Sequence, residues 1–368
     1  MRIKRVDIYG YDLSYRYGNY VMSGGQVVTH LPSTVVRIHT DAGIDGFGEV
    51  CPLGPLYLAA HGEGARAALA AMAPGLIGVD PCNLNAVHAA MDSRLRGHAY
   101  AKSPIDIACF DILGKNTGQS VTTLLGGLAQ DSFPLYKAVP LDTPQAMRDY
   151  VIARRTEGIH RFQLKIGTDP HEDANRVRAV VAVLEDDDFV VADANGGWCL
   201  QEAVIAARLL EPLSRVFFEQ PCVTLEECLY VRQRTSLPMV LDEVITDVNT
   251  LLRAFHAGAM EAVNLKLSKF AGLSGSKLIR DLAKALGLRI TIEDTWGGDL
   301  VTAAVAHLTA STPAKQVLTA SFMNDWTNEH IAYYQPRSAA GTGSAPTAPG
   351  LGVEVDLKVL GKPLFTVV

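Results

Sequence analysis

The chain has 368 residues, 48% of them hydrophobic, with 33 basic and 39 acidic side chains for a net charge of −6. That length accommodates a (β/α)8 barrel, which takes ~250 residues, together with a second domain, and the composition is that of a globular chain. The mildly acidic balance gives no electrostatic basis for nucleic acid or an anionic membrane surface as partner, and no run of ~18 apolar residues is present to span a bilayer.

Residues 1–128 read as an α+β capping domain. Strand-like runs RIKRVDIYGYDL, STVVRIHTDAG and GFGEV come first, punctuated by Gly and Asp. The opening residues lack the apolar stretch of a signal peptide, and the six cysteines form no CxxC pair, so reduced thiols in the cytoplasm are expected. Two helical patterns follow. The alanine-rich GARAALAAMAPGLIG stops at Pro74-Gly75, and SPIDIACFDILGKNTG sets Ile105, Ala108, Ile112 and Leu113 on one face, with Pro104 suited to a first helical turn.

Residues 129–325 alternate strand with helix. The apolar runs are FPLYKAVP, RFQLKIG, FVVADANGG, VFFEQPC, PMVLDEV, AVNLKLS, RITIEDTW and KQVLTASFM, separated by helical stretches such as HEDANRVRAVVAVLE. Eight short, nearly continuous apolar runs predict strands buried on both faces of a parallel sheet. The regular rhythm favours a closed (β/α)8-type barrel, although an open doubly wound sheet has the same rhythm. Residues 326–368 read as a C-terminal segment returning to the cap, with a surface loop SAAGTGSAPTAPG before a last strand-like GVEVDL.

A buried strand does not end in a charge without a reason. Six successive runs here do, at Lys165, Asp193, Glu219, Asp242, Lys266 and Asp294, at intervals of 28, 26, 23, 24 and 28 residues. Each interval is one strand-helix unit, so the charges gather at the C-terminal face, where barrel chemistry takes place. One such residue alone would read as a solvated strand end or a helix cap. Asp193, Glu219 and Asp242 come from adjacent strands, and three crowded carboxylates repel unless a cation neutralises them; all-oxygen ligation suits Mg2+. No HxH, HExxH or Cys/His cluster competes as a zinc site.

Lys165 and Lys266 lie four strands apart, on opposite walls of an eight-stranded barrel. Near a divalent cation and a second ammonium a lysine pKa falls, leaving neutral amine near pH 7. Such a pair suits removal of a proton α to a carboxylate, the second lysine serving the other face or a leaving group.

On these residues the chain resembles the enolase superfamily, in its muconate-lactonizing-enzyme branch. The motifs are AKSPIDIACFDILGKNTGQSVTTLLGG in the cap, D-A-N at 193–195 and E-Q-P at 219–221. Lysine or histidine bases beside magnesium are a well-known feature of that superfamily. The resemblance implies magnesium at Asp193, Glu219 and Asp242, and acid/base roles for Lys165 and Lys266. It also implies a small-molecule carboxylate substrate and a homo-oligomer. Lys165 matches the second lysine of a Lys-x-Lys pair, and the first is Gln163 here, which removes a charge beside the base. Asp294 stands where a His-Asp branch would place histidine, which argues against mandelate racemase or sugar-acid dehydratase chemistry.

MSGG (22–25) and CPLGPLYLAAH (51–61) resemble the loops that close over the site, with Tyr57 as a candidate contact. Asp294 is expected against a substrate ammonium, and Trp296 against a ring or a cationic nitrogen. GPxY, AYAK and DTWGGD resemble relatives acting on proline derivatives. Dehydration of cis-3-hydroxy-L-proline is the leading expectation. The alternative is 2-epimerisation of proline betaine, 4-hydroxyproline betaine or another N-substituted amino acid. A quaternary nitrogen would want an aromatic cage, and a secondary ammonium a hydrogen-bonding acid; one tryptophan beside Asp294 favours the second.

Overall fold

The computed structural model describes residues 1–368. Strands β1 (Ile3–Leu13), β2 (Leu31–Thr40) and β3 (Asp45–Val50) form an antiparallel sheet packed against helices α1 (Gly62–Met72), α2 (Leu84–Arg94) and α3 (Ala99–Thr117). Val6, Ile8, Val36 and Ile38 from the sheet meet Leu69, Met72, Ile105 and Ile112 from the helices in one core. β3 lies almost in contact with the α3 backbone: a Cβ at Gly48 would come within 2.0 Å of the Pro104 carbonyl, so only glycine fits there. Pro104 is not in the first turn. α3 begins five residues earlier, at Ala99, and runs through the proline, because nearly all of its faces are buried and packing offsets the lost hydrogen bond.

Eight parallel strands follow: β4 (Tyr136–Val139), β5 (Arg161–Lys165), β6 (Phe189–Asp193), β7 (Val216–Glu219), β8 (Met239–Leu241), β9 (Ala262–Lys266), β10 (Arg289–Glu293) and β11 (Val317–Ala320). Each pairs with the next in sequence order. A doubly wound sheet would reverse its order at a switch point. This sheet never does, and it curls into a nearly closed barrel. At the seam Phe133, just before β4, packs edge-on against Phe322, just after β11. Val191, Val240, Ala262 and Leu318 form a buried apolar cluster within this sheet, in keeping with a barrel whose interior is filled rather than open.

The last strand of the chain is a different one from that expected. GVEVDL forms no strand; β12 (Phe365–Val367) instead adds antiparallel to β1. No helix is long and apolar enough to cross a membrane.

Helix α10 (Asp299–Ala310), after β10, is buried along its whole length. Within it His307 accepts at Nδ1 from the Thr122 N–H (3.2 Å) and donates from Nε2 to the Leu351 carbonyl (3.0 Å). Burial pushes this imidazole down to about 4. The unfolded chain therefore binds its proton first as pH falls, so stability is full above about 6.5 and erodes down to about 4, by up to ~3 kcal/mol. Urea titrations of wild type and His307→Gln should differ in slope across that window, the variant being flatter. Parallel slopes would show that His307 does not set the acid limb.

Candidate active site

Strand pairing puts Lys165 level with Asp193, Asp193 level with Glu219, and Lys266 level with Glu293. Asp242 follows β8 directly, two residues beyond Val240, which pairs with Glu219. The two-residue period of a strand turns all of these to the same face. The carboxylates and both lysines are buried at one end of the barrel.

Lys165 Nζ donates to Asp193 Oδ2 (2.5 Å) and Asn195 Oδ1 (3.1 Å). Lys266 Nζ donates to Asp242 Oδ2 and to the Tyr57 hydroxyl (2.6 Å), and lies 3.1 Å from Glu293. Tyr57, reaching down from the cap, donates in turn to Asp242 Oδ2 at 2.9 Å. Glu219 accepts from two amides, Gln163 Nε2 (3.0 Å) and Asn264 Nδ2 (2.8 Å). From the other cap loop, the Ser23 hydroxyl donates to the Asp193 carbonyl (3.0 Å) and to Asn195 (2.9 Å).

The electrostatics follow from burial and crowding. Burial first, then the Asp193 and Asp242 charges, push Glu219 well above the usual carboxylate range. Burial would raise Asp242 too, but Lys266 and Lys269 outweigh it and hold Asp242 low. Burial would lower both Lys165 and Lys266. Their carboxylate neighbours, Asp193 for the first and Asp242 for the second, outweigh it and raise both. The lowered lysine pKa expected from the sequence is that of a lysine beside a divalent cation; with the acids alone facing them, both lysines are raised. The three carboxylates do not converge on one point as a finished metal shell. The chemistry of the set still fits a hard divalent cation: three buried oxygen donors on adjacent strands, whose crowded charges a cation would neutralise.

One strand-end acid has to be added to those read from the sequence. The strand-end charge level with Lys266 is Glu293, and Asp294 is the next residue, in the loop. Counting intervals cannot separate adjacent acids; register does. Asp294 Oδ1 accepts from the Ser268 N–H (3.2 Å), the Ser268 hydroxyl and the Thr295 N–H (2.7 Å), while its buried Oδ2 has no partner. Burial raises its pKa to about 6.

Lys165, Lys266, Gln163, Glu293 and Asp294 line one narrow cavity. Tyr57 and Trp296 line it as expected, and Tyr20, Tyr136 and Trp326 line it too, which the sequence reading missed. Trp296 packs edge-on against Tyr20 (5.1 Å between centroids) and Trp326 (5.6 Å), and Trp326 against Tyr136 (5.7 Å). Lys269 was missed as well: its buried ammonium donates to Asp242 Oδ1 at 2.6 Å. The available signals were the second lysine of LKLSK and the inward alternation of Thr291 and Glu293. The rings come from separate elements and leave no local signal.

Residues 19–126 match the family model described as mandelate racemase / muconate lactonizing enzyme, N-terminal domain, and residues 146–359 match that described as enolase C-terminal domain-like. The chain is 46% identical to cis-3-hydroxy-L-proline dehydratase of Roseibium aggregatum over 99% of both chains. It is 28% identical to the N-succinyl-L-Arg/Lys racemase of Bacillus cereus, over 97% of this chain and 96% of that one. Among solved structures it superposes on an enolase-superfamily member from Roseovarius nubinhibens ISM complexed with magnesium. The TM-score is 0.93 at 37% identity, covering 100% of this chain and 99% of the other.

Proposed function

The chain belongs to the mandelate racemase / muconate lactonizing enzyme family of the enolase superfamily, and from that premise we propose that it dehydrates cis-3-hydroxy-L-proline to a pyrroline-2-carboxylate. The observation that carries the reading is a pair of buried lysines on strands four apart that line one cavity with Asp294, one of whose buried carboxylate oxygens has no partner. In this substrate the 3-hydroxyl is cis to the carboxylate, so it lies on the ring face opposite the α-hydrogen. Two amines on opposite walls match that geometry. Lys165 takes the α-proton. Lys266, as an ammonium, gives a proton to the departing hydroxyl, which leaves as water, and the resulting enamine tautomerises to the cyclic imine.

Asp193, Glu219 and Asp242 would hold Mg2+, which supplies positive charge against the negative charge developing on the substrate carboxylate. Lys165 is buried beside Asp193, and its burial disfavours the charged form. Asp294 holds the ring ammonium through its free oxygen. The reading includes a reducing, cytoplasmic compartment, in which the six free cysteines persist as thiols. It also includes a homo-oligomer, which a light-scattering mass decides.

One observation favours a second reading. The rings of Tyr20, Tyr57, Tyr136, Trp296 and Trp326 around the cavity are the surroundings a quaternary ammonium wants, which suits 2-epimerisation of proline betaine with the lysines acting in turn. Proton NMR in D2O with Mg2+ separates the two. Loss of the 3-hydroxyl with formation of a cyclic imine supports dehydration; Cα exchange with inversion and no elimination supports epimerisation. Silence on both substrates sinks the proline-type reading.

The role of Asp294 has its own pH signature. Only its carboxylate attracts an ammonium, and in the free protein it gains a proton below about 6. Substrate dissociation constants should therefore rise about tenfold from pH 7 to pH 5. Calorimetric titration of Asp294→Asn should give weak binding without that slope, and an equal slope in both proteins would remove Asp294 from the ammonium site.

A further inference from the structure

The loop Asp294–Gly298 carries three of the cavity's lining residues, Asp294, Thr295 and Trp296, and leads into α10. Gly298, the N-cap of that helix, has no side chain to satisfy the exposed N–H groups. They are satisfied from the other domain. Glu49, near the end of β3 in the cap, accepts at Oε1 from the Gly298 N–H (2.9 Å) and at Oε2 from the Val301 N–H (3.2 Å). The Ser33 hydroxyl also donates to Oε1, at 2.7 Å. Glu49 is fully buried, and no basic side chain pairs with it. Two residues on, the Cys51 carbonyl accepts from the Thr295 hydroxyl at 3.0 Å. The end of β3 thus pins both ends of the loop. A carboxylate at a helix N-terminus is favoured by the aligned peptide dipoles, more so when buried.

We propose that Glu49 is a positioning residue for the cavity: it caps α10 from the neighbouring domain and so sets where Asp294 and Trp296 stand. The inference rests on the function proposed above only for its kinetic readout. Lys165, Lys266 and the three carboxylates stand at the ends of barrel strands and do not depend on this loop, so losing Glu49 loosens substrate holding and spares the proton transfers. Gly298 provides an independent perturbation, because a Cβ there would lie 2.9 Å from Glu49 Oε1.

The test compares wild type, Glu49→Ala, Gly298→Ala and the double variant, with cis-3-hydroxy-L-proline and Mg2+. Glu49→Ala is expected to raise KM on the order of tenfold while kcat stays within about threefold. Gly298→Ala should raise KM in the wild type but add nothing to Glu49→Ala, where the opposing oxygen is gone. Near-UV circular dichroism without substrate should show the coupled Trp296 and Trp326 bands altered, with the far-UV spectrum unchanged. This spectrum still decides the positioning role if the substrate reading fails. Equal effects of Gly298→Ala in both backgrounds, a loss confined to kcat, or an unaltered near-UV spectrum would each overturn the proposal. Should Glu49→Ala not fold, Gly298→Ala alone must still show the altered near-UV bands.

Discussion

Lys165→Ala is expected to lose α-proton exchange from cis-3-hydroxy-L-proline in D2O, with kcat lowered ~10²- to 10⁴-fold, the usual contribution of a positioned general base. Lys266→Ala should behave differently. Its partner wall serves the hydroxyl, so deuterium should still enter at Cα while water loss slows. The asymmetry is the informative part, because a variant that merely disturbed the barrel would slow both steps together. Both lysines are held by acids on neighbouring strands, Lys165 by Asp193 and Lys266 by Asp242. Truncation leaves those acids short of a partner, so the comparison belongs in saturating Mg2+. If Lys165→Ala exchanges at the wild-type rate, the base is elsewhere.

Chelation is the second large effect. Treatment with EDTA should abolish turnover and Mg2+ should restore it. Binding to the folded state alone stabilises by ~2.7 kcal/mol at a hundredfold excess over Kd, a rise of several degrees in Tm for a chain of this size. Glu219→Gln removes one of the three carboxylates and should gain nothing in Tm from Mg2+. A variant that keeps the Mg2+ shift would remove Glu219 from the metal site.

Much of the site was legible in the sequence. Strands buried on both faces must be apolar, so a lysine or acid closing such a run stands out, and spacing by one strand-helix unit places it at the same end of the barrel. Lys165, Asp193, Glu219, Asp242 and Lys266 were legible for that reason. Glu293 was not singled out beside Asp294, because adjacent acids in IED differ only in which side the strand turns them to. Pro104 was misplaced because propensity puts proline in a first turn, whereas the buried length of α3 carries the helix through it.

By itself, then, the sequence determined the alternating strands and helices, the charged ends of the barrel strands and the chemistry those ends can hold, all of which depend on local periodicity and burial. Only the tertiary structure decided that Glu293 and not Asp294 stands level with Lys266. It alone gathered Tyr20, Tyr57, Tyr136, Trp296 and Trp326 into one lining, and set a carboxylate of the cap at the head of a barrel helix. Each of those depends on strand register, barrel curvature and contacts between residues far apart in the chain, and no local pattern encodes them.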